Sequence, residues 1–315
     1  MRKDRKQKIG IVGAGSVGAT IAYACMVRGV GKHISLFDVA KAKLNAEVLD
    51  LNHGLMFAPE AQLEGSDDIE VLRGADAIVI TAGAKQKPGQ TRIDLAETNA
   101  GICRKIIPEI ARVAPDAILL MVTNPVDVLT HVALKISGFE SRRVFGSGTV
   151  LDSSRFRFLV AQHCRVAVQN VHAYIAGEHG DSEIPLWSSA SIGNVPLEQW
   201  VYPNRMTGAQ RTAIFESVRT SADQVIAGKG ATNYAVGLAV SSILQAVLWD
   251  EGWVLPVSSL LSGYRGLNDV CLSVPAIVSG RGVEYTLPVP MSTEEDAGLR
   301  KSAEAIRSVV RRLGI

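Results

Sequence analysis

The chain has 315 residues, 47% of them hydrophobic and 20% charged, so it can bury a sizeable core and is long enough for two domains. Its 33 lysines and arginines against 31 acidic residues leave a formal charge of +2. That is no basic field for nucleic acid or an anionic membrane surface, so no nucleic-acid or membrane partner is expected and a small molecule is the better prior.

The four cysteines, Cys25, Cys103, Cys164 and Cys271, lie far apart, without the paired spacing of a zinc site or a disulfide framework. They read as buried, reduced thiols of a cytoplasmic protein, and no metal is expected. Met1 to Lys8 is basic and Ile9 to Val27 largely apolar, which imitates a secretory signal. Gly10, Gly13, Gly15 and Gly18 interrupt that run, and the same residues fit a strand, a turn and a helix better. Neither a targeting segment nor a membrane span is expected.

Short apolar runs then alternate with helical patterns, the order of a parallel sheet covered on both faces. Strands are predicted at Lys8–Val12, His33–Phe37, Ala77–Thr81, Ala117–Val122 and Arg143–Phe145. Helices are predicted at Val17–Arg28 and at Asn99–Val113, the latter with Pro108 as a kink or break. From about Ser147 the rhythm changes to a helix through Leu159, a β-rich middle at Val168–Ile175 and Ile184–Ser188, and long helices at Met206–Ala227 and Glu294–Leu313. The expected class is α/β: a doubly wound parallel sheet over residues 1–146 and a second, mixed α/β substrate domain over 147–315. No proline- or serine-rich linker separates them, which places a site in the cleft between.

A glycine fingerprint, Gly13-Ala14-Gly15-Ser16-Val17-Gly18, follows the first strand directly and opens a helix. Gly13 permits the tight turn, Gly15 lets backbone approach a pyrophosphate, and Gly18 lets the helix pack on the strand; the helix start, at Ser16 and Val17, presents N–H groups to phosphate. Asp38 closes the second strand 20 residues beyond Gly18, where a carboxylate meets the adenosine ribose hydroxyls of a dinucleotide. That carboxylate repels a 2′-phosphate and selects NAD over NADP, provided that Lys41 and Lys43 do not turn inward to compensate it. Together these features read as a Rossmann domain.

His179, held between Gly177 and Gly180 in Gly177-Glu178-His179-Gly180-Asp181, suits a side chain presented to a cleft and is the leading acid/base candidate. Asp152 and Arg155 sit three residues apart on a predicted helix and project from one face. The bland reading is an internal ion pair; the sharper one has Asp152 orient protonated His179 and Arg155 clamp a substrate carboxylate.

Several ordered segments carry a specific resemblance: Gly13–Gly18, Ala82–Arg92, Val122–Pro125, Gly146–Arg157, Gly177–Glu183 and Gly230–Thr232. Over essentially its whole length the chain resembles the lactate/malate dehydrogenase family, in its bacterial L-lactate branch. The resemblance implies reversible hydride transfer between NADH and pyruvate, giving L-lactate. His179 would be general acid/base, Asp152 its partner, Arg92 the carbonyl-polarising cation on a mobile loop, Arg155 the carboxylate clamp, and Asn124 and Thr232 further substrate contacts. Cofactor contacts would extend to Thr81, Ala82, Gly83, Val122, Asn124 and Ser147.

Gln86 matches the position where lactate enzymes carry glutamine and many malate enzymes carry arginine, because the second carboxylate of oxaloacetate wants a cation. Arg157 points about 200° away from Arg155 around a helix. In the family Arg157 and His172 match a pair that binds fructose 1,6-bisphosphate between subunits of allosteric members, and a homotetramer is the family expectation. Gln90 stands where many relatives are acidic, and Asn233 where an aromatic residue is frequent. Two readings compete with the lactate enzyme: a malate dehydrogenase, for which the adjacent cation Lys85 leaves room, and a non-catalytic NAD-binding sensor, which would need none of His179, Asp152, Arg155 and Arg92.

Overall fold

Runs of β-branched and aliphatic residues, buried on both faces, build the first half of the molecule. The computed structural model describes residues 7–84 and 92–314, without the side chain of Arg92. Its strands and helices begin with β1 (Lys8–Val12), α1 (Ser16–Arg28), β2 (His33–Phe37), α2 (Lys41–His53), β3 (Gln62–Ser66), β4 (Ala77–Ile80) and α3 (Arg92–Val113). Next come β5 (Ile118–Met121), α4 (Val126–Ser137), β6 (Val144–Gly146) and α5 (Val150–Cys164). Strands β1 to β6 pair in parallel in the order β3-β2-β1-β4-β5-β6, the doubly wound arrangement in which strand order reverses beside β1. Ligands bind at the carboxyl ends of the strands beside such a reversal.

The five strands read from the sequence are all present, within a residue or so of their predicted ends. β3 was not expected: its sequence QLEGS is polar, and only Leu63 of its five residues is buried, as an edge strand allows. Helix α3 starts seven residues before Asn99 and runs through Pro108 without a break. Pro108 lies on the exposed face, where the carbonyl deprived of its N–H partner can reach solvent.

The second half departs further from expectation. Its predicted β-rich middle is five two-residue strands, β7 (Val171–His172), β8 (Ile175–Ala176), β9 (Ile184–Pro185), β10 (Ser191–Ile192) and β11 (Val195–Pro196). After α6 (Gly208–Lys229) and α7 (Tyr234–Leu248) come long antiparallel strands β12 (Trp253–Tyr264) and β13 (Leu267–Ser279), then β14 (Gly282–Thr286) and α8 (Thr293–Arg312). β12 pairs with β6 at Ser258 and Gly146, so one nine-stranded sheet runs through both halves. That continuity fixes the carboxyl ends of β4 to β6 relative to the segments packed on β12 and β13.

Helix α5 carries Asp152 and Arg155, and its inner face is anchored by Phe156. That ring is fully buried and meets Trp187 edge-on at 4.6 Å, in a cluster with Val160, Cys164, Val171, Ile175 and Val218. Thiol burial is the rule here too: all four cysteines are free and buried, and burial pushes Cys25 and Cys103 up to about 12, which keeps them un-ionised. Phe156→Ala is expected to lower unfolding stability by about 3–5 kcal/mol through the cavity it leaves. Urea denaturation measures it; a loss under about 1 kcal/mol would mean that the helix is anchored elsewhere.

Candidate active site

The carboxyl ends of β1 and β2 and the start of α1 form one wall. Gly13 adopts φ +103, and a Cβ there would stand 2.8 Å from the backbone nitrogen of Ala82. A Cβ on Gly18 would collide with the Gly13 carbonyl, whereas one on Gly15 would meet nothing within 4 Å. Thus Gly13 and Gly18 are required by close packing between α1, β1 and the end of β4, and Gly15 faces open space. No side chain caps α1, so its first N–H groups keep their capacity to bind an anion. The Asp38 carboxylate accepts hydrogen bonds from Ala14 N at 2.7 Å and Ala40 N at 2.8 Å, which fixes it at the tip of β2.

Beside Asp38 opens a cavity of about 640 Å³, walled by apolar Phe37, Val39, Ile69, Ile102 and Ile106 and rimmed by charged Asp67, Asp68, Lys105 and Glu109. Its apolar sides suit a flat heterocycle. Lys41 pairs with Asp67 at 3.2 Å, which offsets its charge away from Asp38. An open turn at Gly15, an uncapped helix start, a fixed carboxylate and an apolar slot together fit a dinucleotide.

The second wall joins Thr81, Ala82, Gly83, Val122 and Asn124. Thr81 donates through its hydroxyl to the carbonyls of Val12 and Gly13 at 3.0 Å each. Buried Asn99 on α3 cross-links the strand ends: its Oδ1 accepts from Ala84 N at 2.7 Å and its Nδ2 donates to Asn124 O at 2.8 Å. Sequence reading missed Asn99, since one asparagine in a helix carries no signal of its own. Asn124 is exposed at the start of α4, and Ser147 N donates to Met121 O at 2.8 Å where β6 ends. Gln86, Gln90 and Lys87–Gly89 lie outside the described residues, as does the Arg92 side chain; the Arg92 backbone opens α3.

The reactive cluster is assembled by stitching α5 to β8. Thr149 Oγ1 donates to Ile175 O at 2.6 Å, and Ser153 Oγ accepts from Ile175 N at 2.8 Å. Two residues later the chain turns at Gly177, φ +92, where a Cβ would stand 2.8 Å from Ser302 Oγ of α8. Ser302 Oγ accepts from Glu178 N at 2.6 Å, and the buried Asp127 carboxylate of α4 accepts from His179 N at 2.8 Å. The histidine backbone is therefore gripped from two helices. Neither Asp127 nor Ser302 was anticipated, because both act on backbone amides distant in sequence.

His179 Nδ1 lies 2.5 Å from Asp152 Oδ2, and Arg155 Nη1 lies 2.7 Å from Asp152 Oδ1. Asp152 is 2% exposed. The i, i+3 ion pair is thus real, and the same carboxylate also holds the imidazole. Burial alone would raise the pKa of Asp152, but the charges and hydrogen bonds of His179 and Arg155 outweigh it and hold the carboxyl below its ordinary range. The Asp152 charge in turn raises His179 to about 9, against the opposing cost of burial. With Nδ1 engaged, Nε2 is the ring atom left for a ligand.

Arg157 turns the other way, donating from Nε to Ala173 O at 2.9 Å and stacking on Tyr174 at 4.8 Å. His172 is exposed on β7 next to that contact. Thr232 is half-buried between α6 and α7, and the adjacent Asn233 donates to Thr20 Oγ1 at 2.9 Å.

Residues 7–146 match the profile of the lactate/malate dehydrogenase NAD-binding domain, and residues 149–313 that of the lactate/malate dehydrogenase alpha/beta C-terminal domain. The chain belongs to the lactate/malate dehydrogenase family. A member of that family, the L-lactate dehydrogenase of Bifidobacterium animalis subsp. lactis (strain AD011), is 51% identical over 310 residues, covering 98% of this chain and 97% of the relative. The L-lactate dehydrogenase of Acetivibrio thermocellus is 47% identical, covering 98% of each. Among solved structures, the minor L-lactate dehydrogenase of Enterococcus mundtii superposes with a TM-score of 0.94 at 37% identity, covering 97% of this chain and 98% of that one. The family's N-terminal domain binds NAD, so NAD is the cofactor of this chain.

For Asp152→Asn, loss of the charge that sustains the imidazolium is expected to lower kcat/KM for keto-acid reduction by about 10²-fold or more. The alkaline limb of the pH profile, expected near the His179 value of about 9 in the native protein, should move to lower pH. The stability term has the same sign: the raised pKa of His179 contributes stability that is full below about pH 6.5 and is lost as pH rises through about 9, while the lowered pKa of Asp152 contributes stability that is lost in strong acid. Steady-state rates between pH 6 and 10 for both proteins test this. An unchanged limb in the variant would remove Asp152 as the source of the histidine's basicity.

Proposed function

We propose that the protein is an NAD-dependent L-lactate dehydrogenase of the cytoplasm, interconverting pyruvate and L-lactate. The observation that carries this reading is the Asp152 carboxylate bound at once to His179 Nδ1 and to Arg155 Nη1, 2.5 and 2.7 Å away. It supports a proton donor and a carboxylate clamp side by side, which a non-catalytic NAD sensor has no use for.

In reduction, protonated His179 gives its Nε2 proton to the keto oxygen while Asp152 keeps the ring oriented and charged. Arg155 spends one nitrogen on Asp152 and offers its remaining N–H groups to the substrate carboxylate. Asn124 donates a hydrogen bond near the reacting oxygen, Arg92 polarises the carbonyl, and Ser147 helps to hold the nicotinamide. Bound NADH supplies the hydride. In lactate oxidation neutral His179 takes the hydroxyl proton, so that direction is favoured at higher pH.

That relatives at 51% and 47% identity are named L-lactate dehydrogenase supports pyruvate rather than oxaloacetate as the substrate of this chain. Gln86 and Thr232 would accommodate the pyruvate methyl group, with Gln86 as the residue of choice between the two acids. A homotetramer, with Arg157 and His172 as part of a fructose 1,6-bisphosphate site between subunits, follows from the family resemblance. The cation of Arg157, fixed beside exposed His172, supports an anion site there. No described helix is long and apolar enough to cross a membrane, and the balanced charge supports no nucleic-acid partner.

Loss of NADH absorbance with pyruvate, well in excess of that with oxaloacetate, is the expected result; equal or reversed rates would contradict the lactate assignment. Gln86→Arg should shift the kcat/KM ratio toward oxaloacetate by about 10-fold or more, since an unpaired carboxylate is costly to bury. No change in that ratio would take Gln86 out of the specificity role.

A further inference from the structure

Glu183 is a buried carboxyl that the mechanism above leaves unused. It is 6% exposed and follows His179 by four residues, in a turn closed by Glu183 N donating to Gly180 O at 3.2 Å. One oxygen of Glu183, one of Asp152 and one ring nitrogen of His179 all lie within 4.8 Å of one another. Among the described residues no hydrogen bond or ion pair engages the Glu183 side chain. The neighbouring cations are committed elsewhere: Arg155 of α5 to Asp152 at 2.7 Å, and Arg219 of α6 to Glu216 at 3.0 Å.

Two carboxyls therefore face one imidazole in a buried pocket, and only Asp152 has the hydrogen bonds to be an anion. For Glu183 ionisation carries both a desolvation cost and repulsion from Asp152. Burial first, and the Asp152 charge second, push Glu183 up to about 8, against the milder pull of His179, Arg155 and Arg219. Among the described residues Asp127 of α4, which burial raises to about 6, is a further charge close to the ring.

We propose that Glu183 is a positioning residue that sets the pH at which His179 releases its proton, serving as a neutral carboxyl beside the pair at neutral pH and as a second anion beside the imidazolium in alkali. The inference rests on His179 being the acid of the reaction proposed above. When Glu183 ionises, its proton passes to solvent and the new charge favours the imidazolium, so the reductive reaction persists to higher pH. A glutamine of the same shape keeps the packing but cannot supply that charge.

The test is kcat and KM for pyruvate between pH 6 and 10 in the native protein, Glu183→Gln and Glu183→Asp, with NADH binding by fluorescence to establish that each variant is folded. For Glu183→Gln the alkaline limb of kcat/KM is expected to move to lower pH by about half a unit or more, and Glu183→Asp to recover most of that shift. A Gln profile whose limb superimposes on the native one would overturn the proposal, even where kcat falls at every pH, since packing alone would explain that fall. Equal displacement in both variants would overturn it as well. Failure of the enzyme reading is separate: the native protein would then not oxidise NADH with pyruvate at any pH.

Discussion

A carboxylate removed from water stays ionised only where cations or donors replace its hydration. Asp152 meets that condition with a guanidinium on one oxygen and an imidazole on the other. The demand is mutual, because the same charge that needs partners is what holds His179 protonated well above an ordinary histidine. In the proposed reaction one buried negative charge thereby does two tasks: it keeps a proton ready for a keto oxygen and holds a guanidinium beside it for a carboxylate. Removing Asp152 would leave two cations without their shared counter-ion, so the triad depends on the packing that holds this carboxylate between them.

That rigidity comes from packing distant in sequence. Helix α5 is pinned to β8 by Thr149 and Ser153, so Asp152 stands opposite the turn that carries His179. The turn itself is gripped through its amides by Asp127 of α4 and Ser302 of α8. Beneath it the sheet passes without interruption from β6 to β12. The nucleotide wall is built by a different device, close backbone packing that tolerates no side chain at Gly13 or Gly18 and leaves Gly15 open.

Much of this was legible in the residues. The glycine fingerprint after β1 and Asp38 at the end of β2 locate the cofactor wall because their spacing is imposed by local strand-turn-helix geometry. Asp152 and Arg155 share a helix face for an equally local reason. What stayed hidden depends on long-range contact: Asp127, Asn99 and Ser302 are polar residues with no periodic signal that matter only once elements far apart in the chain converge, and Glu183, though four residues from His179, matters through its burial beside Asp152. β12 and β13 escaped notice because their buried residues run almost continuously, without the alternation that marks a half-exposed strand. β3 escaped for the opposite reason, being an edge strand with one buried residue.

The central claim is that the Asp152 charge sustains a protonated His179 at neutral pH. Titrating the ¹⁵N-labelled imidazole by NMR measures it directly, with the signal assigned among six histidines by its loss in His179→Asn. The account predicts an apparent pKa near 9, well above the ordinary 6.5. A value at or below 6.5 would contradict it.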